Sequence, residues 1–128
     1  MTQENKELLL QDLSARLPYG VLCDIGLDHP LPLQRLFVDR LDGILLDFYE
    51  DGLDYQVYLS EVKPYLFPLS SMTEEQSKIY HELIHGMFGT NVLINLEELM
   101  KFFYKNHLDW RGLIPKGLAI DATNKNIY

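Results

Sequence analysis

Leucine recurs at helical spacing near the start of the chain. Leu9, Leu10, Leu13 and Leu17 are separated by Glu7, Gln11, Asp12 and Arg16, which predicts an amphipathic helix over residues 6–17. Pro18 ends it, because a proline pushes the residue before it out of the helical region. The period then shortens. Residues 19–25 read as a strand, and residues 26–33 as a loop in which Pro30 and Pro32 suppress regular structure. Residues 36–40 and 44–49 are two further strands, with Asp42-Gly43 between them as a hairpin turn that needs positive φ. Asp51-Gly52 marks the next turn. Beyond it Tyr55, Val57 and Leu59 alternate with Gln56, Tyr58 and Ser60, so residues 55–62 form a strand with one face buried.

Helical spacing returns after a Pro-containing connector over residues 63–72. Thr73-Glu74-Glu75-Gln76 is a capping box, in which Thr73 caps the helix and Gln76 reaches back. That helix runs to about Gly86, where Gly86 and Gly89 supply C-cap chemistry. Asn95 then reads as an N-cap with Glu98 three residues on. Leu96, Leu99, Met100 and Phe103 form the stripe of a last helix that ends near Asn106. From Asp109 onward the tail is rich in glycine, proline and asparagine. Trp110, Leu113, Ile114 and Leu118 are expected to fold it back on the core, and Arg111 to pin it by pairing with an acidic residue of the sheet. The expected architecture is α+β in one domain, residues 1–128: an N-terminal helix, an antiparallel meander of about four strands, and two C-terminal helices packed on one face of the sheet.

Composition narrows the function classes. A hydrophobic content of 47% with 23% charged residues excludes a disordered chain. A formal net charge of -8 disfavours nucleic acid and anionic membranes, both of which need clustered Lys and Arg. The expected partner is therefore a protein, with no nucleic acid and no membrane, and the oligomeric state is left open. The single cysteine, Cys23, forms no internal disulfide and reads as a small apolar strand residue, which fits a reducing compartment. With no signal-peptide core at the N-terminus and no apolar run of membrane-spanning length, the expected location is cytoplasmic. The sheet region is acidic, with Asp24, Asp28, Asp39, Asp42, Asp47, Asp51 and Asp54. These are not spaced as a calcium-binding loop; most of them read as solvated strand edges and turns, with an acidic patch for a basic partner as the minority reading. His29 reads as an exposed loop histidine.

One stretch carries a named chemistry. His81-Glu82-Leu83-Ile84-His85 matches the HExxH pattern of zinc peptidases. Residues i and i+4 share a helix face, so His81 and His85 would grip one zinc ion, and Glu82 would act as general base for the metal-bound water. Glu97 or Glu98 of the next helix would be the third ligand, as in a very small gluzincin, with His107 as another candidate. Against this, Ile79, Tyr80, Leu83, Ile84, Met87 and Phe88 make the apolar stripe, which turns His81 and His85 towards solvent beside Glu74 and Lys78. Glu82 has an ion-pair role with Lys78, and Glu97 with Lys101.

Two stretches resemble a known group. They are residues 63–76 (Lys-Pro-Tyr-Leu-Phe-Pro-Leu-Ser-Ser-Met-Thr-Glu-Glu-Gln) and residues 109–119 (Asp-Trp-Arg-Gly-Leu-Ile-Pro-Lys-Gly-Leu-Ala), joined by Leu17-Pro18-Tyr19-Gly20-Val21. Together they resemble small uncharacterised proteins of gut Bacteroidales and of their phages or prophages. The resemblance implies a cytoplasmic or phage-linked accessory protein and brings no activity with it. The preferred expectation is thus a small acidic accessory or interaction protein without catalysis or cofactor. The alternative is a minimal zinc-dependent peptidase using His81, Glu82, His85 and Glu97.

Overall fold

A computed structural model describes residues 1–39, 43–86 and 92–128. The first helix, α1 (Gln3–Arg16), begins one turn earlier than the leucine spacing suggests. Thr2 caps it, its hydroxyl accepting the Asn5 backbone N–H at 3.1 Å. Five strands follow, β1 (Leu22–Asp24), β2 (Leu31–Asp39), β3 (Gly43–Glu50), β4 (Leu53–Tyr58) and β5 (Lys63–Leu66), then α2 (Glu74–Gly86), α3 (Val92–Lys105) and a short β6 (Ile120–Asp121). The class is α+β. The six strands lie in the order β4-β3-β2-β1-β5-β6, antiparallel except where β5 meets β6.

The sheet is larger than the expected meander, for two local reasons. Pro32 lies inside β2, in a segment read from sequence as loop. Leu33 N donates to Val21 O at 3.0 Å, so the absent N–H of Pro32 faces the opposite side, where pairing with β3 starts only at Leu33. The connector after β4 supplies β5, which pairs with β1 through Cys23↔Pro64 and Asp24↔Lys63. The turn at Asp51-Gly52 has φ of 49° and 85°, the left-handed pair that a tight hairpin requires. Asp42 of the other predicted turn, and Gly89, lie outside the described residues.

Two apolar clusters divide the interior. In the first, Leu9 and Leu13 of α1 pack on Val21, Cys23, Leu31, Leu33, Leu46, Phe48 and Leu66 of the sheet, closed by Leu113 and Leu118 of the tail. The second is built by the helical pair: Leu99, Phe102 and Phe103 of α3 with Leu108, against Tyr80 and Leu83 of α2 and Phe67. The two C-terminal helices thus pack on one another, and α1 with the tail covers the sheet. The capping box of α2 forms as a reciprocal pair, Gln76 N to Thr73 Oγ1 at 3.1 Å and Thr73 N to Gln76 Oε1 at 3.0 Å. The start of α3 at Val92 places Asn95 inside the helix and not at its cap. Its end is a left-handed C-cap at His107 (φ 55°), where Leu108 N bonds Phe103 O at 2.9 Å and His107 N bonds Tyr104 O at 3.2 Å.

The junction of the clusters is charged. Asp12 and Arg16, polar positions of α1 by sequence, are both fully buried one turn apart. Asp12 Oδ2 accepts Arg16 Nε at 2.8 Å, and Asp12 Oδ1 accepts Arg111 Nη1 at 2.8 Å. Arg16 also donates to the Leu108 carbonyl, and the Arg111 guanidinium lies over the Trp110 ring at 4.4 Å. Arg111 does pin the tail, but on α1 and not on the sheet. Asp109 completes the fold-back, its two oxygens accepting Leu113 N at 2.8 Å and Ile114 N at 2.9 Å. Removing one partner of a buried ion pair leaves the other charge uncompensated. Asp12→Ala is therefore expected to cost about 3–5 kcal/mol of folding free energy by urea denaturation, several times the loss from deleting an exposed acid such as Glu4.

Candidate functional site

The HELIH residues sit on the outer flank of α2. Tyr80 and Leu83 point into the second cluster, and His81, Glu82 and His85 are all exposed. A cleft of about 670 Å³ runs between α2 and α3, lined on the α2 side by Gln76, Ile79 and Leu83, and none of the three motif residues borders it. Glu97 and Glu98 turn towards Lys101, with carboxylate oxygens 3.8 and 3.5 Å from its ammonium. His107 is elsewhere, its ring stacked on Tyr128 at 3.7 Å between centroids. Among the described residues no three His, Cys, Asp or Glu side chains come together as a metal-holding group.

A different constellation lies on the sheet. The register assigns each strand residue of β2, β3 and β4 to a face. Leu36, Ile44, Leu46, Phe48, Tyr55 and Val57 face the first cluster. The opposite face carries Arg35 and Phe37 of β2, Leu45, Asp47 and Tyr49 of β3, and Asp54, Gln56 and Tyr58 of β4. Tyr49 and Tyr58 are 54% and 43% exposed there, an unusual outlay of aromatic surface.

Asp47 is the odd member. Most acidic residues of this region were expected at solvated edges and turns; Asp47 sits on an internal strand and its side chain is only 5% exposed. Arg35 and Gln56 are its cross-strand neighbours. Arg35 gets there by a β-bulge. Leu33 pairs with Phe48 and Arg35 with Asp47, so Gln34 is the extra residue. Without it Gln34 would oppose Asp47, and Arg35 would oppose Leu46 on the core side. Arg35 Nη2 lies 2.7 Å from Asp47 Oδ2, an ion-pair distance, but neither carboxylate oxygen receives a directed hydrogen bond from a protein group. The Arg35 side chain is itself 72% exposed. A cleft of about 470 Å³ opens at this point, lined by Leu17, Gln34, Arg35, Phe37, Asp47 and Gln56, among others.

Two histidines and the cysteine also sit in perturbing surroundings. His29, in the β1–β2 loop, is clasped by Asp28 Oδ1 at Nδ1 and by Glu50 Oε2 at Nε2, both at 2.6 Å. These hydrogen bonds to Asp28 and Glu50 raise its pKa above the ordinary 6.5. Burial pushes His107 down to about 4, helped by the charge of Arg16. Cys23 on β1 is fully buried, and burial drives its thiol pKa upward, away from a nucleophile's range. No described helix is long and apolar enough to cross a membrane.

No protein family, curated protein or solved structure matches this chain. The sequence reading did not single out Arg35, Asp47 and Gln56 as a group. One signal was available: a single carboxylate inside the otherwise apolar run Ile44-Leu45-Leu46-Asp47-Phe48-Tyr49.

Two measurements follow from this geometry. The His29 imidazole should titrate above about 6.5, the ordinary histidine value, by NMR, and Glu50→Gln should lower its midpoint. A raised folded pKa means that the clasp contributes stability in full below the unfolded value and loses it as pH rises through the folded one. A wild-type midpoint at or below the ordinary value would exclude the clasp. Separately, His85→Ala should leave the zinc content per chain, read by elemental analysis, unchanged. Stoichiometric zinc lost in that variant would restore the peptidase reading.

Proposed function

We propose that this protein is a small non-catalytic interaction protein, of the accessory kind that its resemblance to Bacteroidales and phage proteins implies, and that it engages a protein partner through the open face of β2, β3 and β4. The observation that carries this reading is the composition of that face. Tyr49 and Tyr58 are exposed beside Phe37, and among them is a nearly buried carboxylate whose oxygens lack directed hydrogen bonds. Exposed aromatics with a central polar anchor are what a protein-binding patch uses, since rings bury large area at small entropic cost. The net charge of -8 adds long-range attraction for a basic partner.

The test is affinity capture from a Bacteroidales lysate with three baits: wild type, a sheet-face variant (Tyr49→Ala with Tyr58→Ala), and an α2 variant (His81→Ala with Glu82→Gln). The expected result is a specific partner retained by wild type and by the α2 variant and lost by the sheet-face variant. Repeated captures with no specific partner, or a partner lost only with the α2 variant, would count against the assignment.

A further inference from the structure

We infer that the cleft at the β2 bulge is a recognition site for an arginine side chain of the partner, seated on Asp47 in place of Arg35. This deepens the interaction reading above and rests on it. The side chain of Asp47 is 5% exposed, so its carboxylate has little water to solvate it. Among the described residues its close cation is Arg35, at 2.7 Å from one oxygen, without a directed hydrogen bond to either. A buried carboxylate with one oxygen held only by that ion pair and the other without a donor is matched by the planar two-pronged fork of a guanidinium, which donates to both at once. A lysine ammonium would supply a point charge and leave one oxygen short.

The access route is Arg35 itself. Its side chain is 72% exposed, so it covers Asp47 from the solvent side, and the cost of parting the pair is offset when an incoming guanidinium re-pairs the buried carboxylate. Behind it lies the cleft of about 470 Å³, with the Phe37 ring on one side and the Gln34 and Gln56 amides available to the rest of an incoming chain. Exposed Tyr49 and Tyr58 lie on the same face outside the cleft's lining and offer apolar area to the rest of the partner. Asp54 on that face adds negative charge, and Arg35 is the cation that competes. Arg35 thus acts as a built-in surrogate that occupies the anchor until a better-directed guanidinium displaces it.

This geometry makes an inverted prediction. Deleting Arg35 should strengthen binding. The probe is a short peptide carrying one arginine between leucine and serine residues, against the same peptide with citrulline, titrated into the full chain by amide NMR. Saturable shifts at Gln34, Arg35, Asp47 and Gln56 are expected with the arginine peptide, with affinity lower by about tenfold or more for citrulline, the worth of charged hydrogen bonds to one carboxylate. Asp47→Asn should weaken the arginine peptide to the citrulline level, and Arg35→Gln should tighten it severalfold. Equal binding of the two peptides, no saturable shifts at these strands, or loss of binding in Arg35→Gln would overturn the proposal. The last result would mark an anion site centred on Arg35. If Asp47→Asn disturbs the fold, seen as lost dispersion in its spectrum, the citrulline comparison and Arg35→Gln still decide. A partner captured through Tyr49 and Tyr58 with no arginine-peptide binding would leave the interaction reading standing and remove this one alone.

Discussion

The carboxylate of Asp12 holds the molecule together. It accepts from two guanidiniums that arrive from separate parts of the chain, Arg16 on its own helix and Arg111 in the tail. Through Arg16 it also fixes the Leu108 carbonyl, just past the end of α3. Three segments are thereby held at one point, alongside the apolar packing of Leu113 and Leu118 with Leu9 and Leu13. Desolvating two charges is expensive, and the net worth of the cluster over an apolar equivalent can be small. Its geometric demand is strict, however, because both oxygens are committed. That demand explains why α1 buries a stripe of Leu9, Asp12, Leu13 and Arg16 and does not present a purely leucine face.

The bulge in β2 plays the corresponding part in the sheet. It shifts the strand's phase by one residue, so that Leu31 and Leu33 before it and Leu36 after it all reach the core side. The same shift delivers Arg35 to the outer face opposite Asp47. One inserted residue therefore solves a packing problem and creates the outer constellation, a pairing of roles that bulges often serve near binding sites.

Much of this was legible in the sequence, and the remainder has a common cause. The capping box at Thr73, the Asp51-Gly52 turn, the end of α3 and the burial of Cys23 all depend on residues a few positions apart, so local chemistry suffices. The strands β5 and β6, the partner of Arg111 and the burial of Asp12, Arg16 and Asp47 depend on residues far apart in the chain. Arg111 illustrates the point: its need for a carboxylate was readable, but helix and sheet both offered one. Pro32 misled for a related reason, since a proline excludes a strand only when its missing donor faces a neighbour. The phase change from Leu31 and Leu33 to Leu36 was a readable trace of the bulge, hidden by assigning those residues to a loop. HELIH shows the same limit, because the spacing of two imidazoles is local and the third ligand of a metal site is not.

The division of the interior into two clusters has a consequence for how the molecule breathes. The helical pair has its own apolar centre around Phe102 and Phe103, joined to the rest through Phe67, Leu108 and the charged junction. Such a unit can open as a block while the sheet, α1 and Leu113 keep their packing. Amide hydrogens of α2 and α3 would then exchange as one group at a lower opening free energy than those of β1 and β3, and the open face of the sheet would keep its shape through excursions of the other half.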